Sequence, residues 1–129
     1  KPGLISILLF YNNRIMKMNP IPPNYLTQTA GAFAALGSEH RLLILRRLVR
    51  AGRDGVTIGE LGDAVGVTGS VLTHHLKHLV NAGLIVQRRQ GRHIYCSVVF
   101  EAVETLSQFL IAECCADAAQ HMVSEDTYG

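Results

Sequence analysis

The stretch that decides the fold is "GSVLTHHLKHLVNAG", residues Gly69 to Gly83. Leu72, Leu76, Leu79 and Val80 recur at i, i+4, i+7 and i+8, the spacing of an apolar stripe on an α-helix. Ser70, Thr73, His74, Lys77 and Asn81 form a second stripe at i, i+3, i+4, i+7 and i+11. That stripe holds hydrogen-bonding side chains of moderate length and one cation, with no acid. A helix that reads the major groove needs this makeup, because base edges present donors and acceptors while phosphates present negative charge. An ordinary solvated face would more often mix Glu with Lys.

Just upstream, "TIGELGDAVG" (Thr57 to Gly66) opens on Thr57 and Glu60, a capping box, and closes on a glycine. After "VGV", Thr68 is placed to cap the next helix. Two short helices joined by a tight glycine turn predict a helix-turn-helix. Downstream, "LIVQRRQGRHIYCSV" alternates and is rich in β-branched residues, with "QGR" as its turn. A hairpin directly after such a helix, carrying Arg88, Arg89, Arg92 and His93, reads as a wing. Its cations suit phosphates or a narrow minor groove. As a lone hairpin it would be simply structural.

Farther out, "NYLTQTAGAFAALG" predicts a first helix with Leu26, Ala30, Phe33, Ala34 and Leu36 apolar. In "SEHRLLILRRLVRAG", Ser38 is the N-cap, Leu42, Leu45, Leu48 and Val49 line one face, and Gly52 is the stop. "FEAVETLSQFLIAECC" is helical again, with Val103, Leu106, Leu110 and Ile111 apolar. The first and last helices together offer more apolar surface than a small domain can hide, and a dimer interface is its natural use. The predicted fold is mainly α with a β-hairpin wing, a winged helix-turn-helix that is homodimeric through those two helices.

At 129 residues, 48% hydrophobic and 17% charged, the chain has the composition of one globular domain. Expected boundaries are a flexible arm over residues 1–23, the domain over 24–115 and a polar tail over 116–129. The chain begins at Lys1, ahead of Met16 and Met18, which leaves open whether residues 1–17 are native. The apolar run Leu4 to Phe10 is far short of the roughly 18 residues a membrane span requires. It has no cleavage site of a signal peptide after it. From Ser38 to His93 nine Lys or Arg face four acids, whereas from Ile94 onward there are six acids and no Lys or Arg. The middle therefore suits a polyanion, although a solvated surface can show the same split. Three cysteines, an odd number, argue against a disulfide framework and for a reducing cytoplasm.

"ALGSEHRLLILRRL", "TIGELGDAVGVTGSVLTHHLKHLVNAGLI" and "VQRRQGRHIYCSV" together resemble the ArsR family of metal- and metalloid-responsive repressors, over roughly Phe33 to Cys115. The resemblance implies a winged helix-turn-helix homodimer that binds a palindromic DNA operator and lets go when an inducer binds. It places Ser70, Thr73, His74 and Lys77 at base and phosphate contacts and Arg92 in the wing. Two sensing sites common in the family are missing. "ELGDAVG" has no sulfur where a Cys-x-Cys motif would sit, and "VFEAVETLS" lacks the histidine of an Asp-x-His pair.

What remains is Cys96, Cys114 and Cys115, similar to arsenic sensors with cysteines at the end of the last helix. Packing, a thiol redox switch and a zinc site completed by His121 are the competing readings of these thiols. Soft thiolates select soft ions, and a trivalent arsenical needs two or three sulfurs and no fourth ligand. The reading adopted is a repressor, not an enzyme, induced by arsenite or methylarsenite. Its three expected ligands are Cys96 of one subunit and Cys114 and Cys115 of the other. A repressor responsive to thiol oxidation or reactive sulfur is the alternative, and a protein-interaction module without a DNA role is the reading from another class. No catalytic cofactor is expected.

Overall fold

The computed structural model describes residues 21–118. The expected arm lies outside them except at its last positions, and of the expected tail only residues 116–118 fall within them. The order of elements is α1 (Pro23–Ala35), α2 (Glu39–Ala51), β1 (Val56–Thr57), α3 (Ile58–Val65), α4 (Gly69–Asn81), β2 (Ile85–Gln90), β3 (His93–Val98) and α5 (Phe100–Ile111). The chain divides inside α1 into Lys1–Ala30 and Gly31–Gly129. In the first unit, α1 starts at Pro23, one residue before the expected boundary, and Thr29 Oγ1 donates to Tyr25 O at 2.7 Å.

In the second unit the helices pack on a three-stranded antiparallel sheet of order β1-β3-β2. The core is built on Ile44, Leu48, Leu61, Leu79, Leu84, Ile85 and Cys96, all fully buried. This is the winged helix-turn-helix predicted above. The capping box is present as expected, with Glu60 N donating to Thr57 Oγ1 at 3.2 Å and Thr57 N to Glu60 Oε1 at 3.1 Å. Gly62 sets the corner between α3 and α4. A Cβ there would stand 2.7 Å from Val67 O and 3.1 Å from Leu72 Cδ2, so only glycine lets α4 come this close.

Three local expectations need correction. The face that α2 buries is Ile44 and Leu48, while Leu42 (51%) and Val49 (40%) are exposed. Residues 42–45 read LLIL, so apolar side chains point all round the helix there and periodicity alone cannot choose a face. On α1 the core side is Ala32 and Ala35, with Phe33 and, just past the helix, Leu36 partly covered, and Ala34 is exposed. Thr68 stands at the N-cap of α4, but its side chain makes no capping bond.

Gly55 joins the turn before β1 to β3. It has φ 76°, and a Cβ on it would collide with the Cys96 carbonyl, which is backbone in a paired strand and cannot step aside. Gly55→Ala should therefore cost about 2–3 kcal/mol of stability, read as a lowered midpoint in urea with an unchanged slope.

Candidate nucleic-acid interface and thiol pair

Burying Leu72, Leu76 and Leu79 of α4 turns its other side outward. Ser70, Thr73, His74, Lys77 and Asn81 are all exposed, as the sequence stripe requires. Thr73 Oγ1 bonds back to Gly69 O at 3.2 Å, which fixes its rotamer. Val80 is 37% exposed, at the edge of the buried stripe. Val71, which the sequence reading passed over, is 52% exposed beside Ser70. An apolar residue off the leucine stripe was the available signal for it.

The wing pairs β2 with β3 from Ile85↔Val98 to Gln90↔His93, so the link is Gly91–Arg92 and Gln90 still belongs to the strand. Gly91 takes φ 67°, as the first position of a two-residue hairpin turn demands. Arg89, Arg92 and His93 are exposed. Arg88 is drawn inward despite its exposure. Its Nη2 donates to Asp54 O at 3.3 Å, and its guanidinium lies 5.2 Å over the ring of its cross-strand partner Tyr95. Arg88 thus braces the wing against the turn before β1, and Arg89 and Arg92 carry its freer charge.

The three cysteines separate into two environments. Cys96 is fully buried in β3, with Gln87 Nε2 3.8 Å from its sulfur. Burial pushes its thiol above the usual range, and the Gln87 contact offsets this in part. Cys114 and Cys115 are exposed, and their sulfurs lie 3.5 Å apart. They do not sit on the last helix as expected. Helix α5 ends at Ile111, and Ala112–Cys115 form a turn in which Cys114 N donates to Ile111 O at 2.9 Å. Cys115 has φ 61°, a left-handed conformation that costs a non-glycine residue on the order of 1 kcal/mol. That turn removes the roughly 100° divergence of adjacent helical side chains and brings the sulfurs together. The hydrogen bond with Cys115 holds the Cys114 thiol above its usual range, and the charge of a neighbouring thiolate adds to this.

Among the described residues of one chain, no three His, Cys, Asp or Glu side chains gather as a metal ion would need. His121 lies outside the described residues. None of the described helices is long and apolar enough to cross a membrane.

Residues 36–88 match a family model described as a helix-turn-helix domain. The nodulation protein NolR of Rhizobium meliloti is 35% identical over 89 residues, covering 67% of this chain and 70% of NolR. ArsR2 of Halobacterium salinarum, which bears the name of an arsenical resistance operon repressor, is 35% identical over 77 residues, 60% of each chain. The chain belongs to the ArsR family. Among solved structures, NolR from Sinorhizobium fredii is 30% identical with a TM-score of 0.57, over 75% of this chain and 97% of that one. Other relatives of similar identity are named HTH-type transcriptional regulators, and this ArsR-family chain is a DNA-binding transcriptional regulator, not an enzyme.

The two thiol environments predict distinct reactivity. An aromatic disulfide reagent added to the native protein should titrate two thiols quickly and the third only after unfolding, counted by absorbance.

Proposed function

We propose that this chain is a homodimeric cytoplasmic repressor that leaves a palindromic operator when a trivalent arsenical bridges Cys114 and Cys115. The observation that carries the sensing half is the exposed dithiol, with sulfurs 3.5 Å apart around a left-handed Cys115. Two sulfurs bound to one centre at the ~2.3 Å of a soft metal–thiolate bond, with angles near 90–100°, stand roughly 3.3–3.5 Å apart. A tetrahedral zinc would ask for about 3.8 Å and two further ligands. Methylarsenite fits a site of two thiols best, since one of its three valences is already taken by carbon. Two S–As bonds form and two As–OH bonds break, and the hydroxyls leave as water with the thiol protons. The raised Cys114 pKa is then no obstacle. A relative named for arsenical resistance favours the same class of inducer.

This ligand set is narrower than the three thiols of the sequence reading. Cys96 holds a core position facing Val56 across the sheet, and withdrawing it to bind metalloid would open a cavity. Its assigned role is packing.

On the DNA side, Ser70, Thr73, His74 and Lys77 of α4 are assigned to base edges and phosphates, and Val71 to a thymine methyl. The uncapped N-terminus of α4 at Thr68 leaves backbone amides for a phosphate. Arg89, Arg92 and His93 of the wing take the flanking backbone, and Arg88 supports them. Leu110 (67%) and Ile111 (57%) on α5 are apolar and uncovered, as a helical dimer interface would leave them in one chain. The dithiol follows directly on α5, so an arsenical closing that turn acts on the proposed interface. There it resets the distance between the two reading helices, which must be roughly 34 Å.

Fluorescence anisotropy on a duplex from the gene's upstream region tests this. Methylarsenite should release the wild-type protein and the Cys96→Ser variant but leave Cys114→Ser and Cys115→Ser bound. Release by oxidant alone would favour the redox alternative, and loss of release in Cys96→Ser would restore the three-thiol site. Lys77→Ala should weaken all duplexes alike and lower the salt slope by about one.

A further inference from the structure

Arg41 belongs to the first turn of α2, yet its side chain serves two other helices. Its Nε donates to Ala35 O, the last residue of α1, at 2.6 Å. Its Nη1 lies 3.2 Å from Nδ1 of His75, in the middle of α4. Its own backbone N–H goes to the N-cap oxygen of Ser38. A guanidinium only donates, so Nδ1 of His75 must accept. His75 is then neutral and carries its single proton on Nε2, a tautomer set by Arg41.

The surroundings support the same protonation state. The charged and titratable groups facing His75 are Arg41 and His40 on α2 and His74 and His78 on α4, all cationic or cationic when protonated. The His40 ring is 5.4 Å away and the His74 ring 5.8 Å. Burial first, then Arg41, then the three histidines hold His75 below the ordinary histidine range.

Elsewhere α4 is held by leucines, and apolar burial is non-directional. It selects the face of the helix that turns inward, while a directional bond is needed to define its finer rotation and slide. The usual device at the N-terminus is missing too, because the Thr68 side chain makes no capping bond. The Arg41–His75 bond is directional, and it lies on the flank between the leucine stripe and the outward polar stripe. Through Ala35 O it also reaches the C-terminal carbonyls of α1, where a cation is welcome.

We propose that Arg41 and His75 are positioning residues for DNA reading: their bond ties the middle of α4 to the end of α1 and fixes the angle at which the polar stripe of α4 meets the groove. This rests on the assignment of α4 to DNA. Acid undoes the link, since protonated His75 offers no acceptor and sets a second cation against Arg41. Stability from the neutral His75 is present above the ordinary histidine pKa and is lost as pH falls from that value through the lowered pKa of the folded state.

The test uses the full chain and a duplex enriched by the wild-type protein from a random-sequence library. Arg41→Met, Arg41→Lys and His75→Ala should each weaken binding about tenfold while the salt slope stays at its wild-type value, because no phosphate contact is lost. His75→Asn presents an amide oxygen near the place of Nδ1 and should keep wild-type affinity. It should also lose the part of the acid-induced weakening that His75 contributes. Nitrogen NMR of the DNA-free protein should find His75 as the Nε2–H tautomer near neutral pH. An Nδ1–H tautomer would overturn the proposal without reference to DNA. Wild-type affinity in Arg41→Lys, with a salt slope lowered by about one in Arg41→Met, would make Arg41 a phosphate contact instead. Equal affinity in all four variants would sink the positioning role while leaving DNA reading intact. Failure of the wild-type protein to enrich any duplex would overturn the reading of α4 and this role together.

Discussion

Leu72, Leu76 and Leu79 can be buried together on only one side of a 3.6-residue helix, and that choice turns Ser70, Thr73, His74 and Lys77 to solvent. The apolar contacts supply most of the energy, roughly 1.5–3 kcal/mol for each fully buried leucine. The corner at Gly62 and the bond from Arg41 supply geometry. A polar face that reads DNA needs both, since a helix held firmly at the wrong angle presents the right side chains to the wrong atoms.

The sulfur chemistry follows a similar division. Chain position alone made three cysteines equivalent candidates for a soft ion. Folding gives Cys96 to the core of the sheet and leaves Cys114 and Cys115 in a solvent-facing turn. The strained φ of Cys115 is the local cost of setting two sulfurs side by side, and helical continuation through Glu113 would have pointed them apart. Under the proposed function, a ligand at this turn would act on helix packing because the turn adjoins the end of α5, and DNA and inducer would oppose each other by the same free energy.

Much of this was legible in the sequence because it rests on local rules. The Thr57–Glu60 capping box, the stop at Gly66, the stripes of α4 and the hairpin around Gly91 are all set by spacing and turn chemistry. The parts that escaped depend on contacts distant in the chain. Arg41 and His75 are 34 positions apart, and no periodicity links them. The face of α2 was ambiguous because apolar residues surround it at 42–45. The end of α5 carried no Gly or Pro, so the turn at Cys114 and Cys115 left no mark in the composition of "LIAECC".

Whether α4 reads DNA is tested by a map of backbone amide shifts in the reduced protein as operator duplex is added. The largest changes should fall at residues 69–77 of α4 and 89–93 of the wing, with Cys96 and its strand neighbours nearly still. Changes concentrated along α5, with α4 unmoved, would contradict that role and make the helix-turn-helix a scaffold for some other partner.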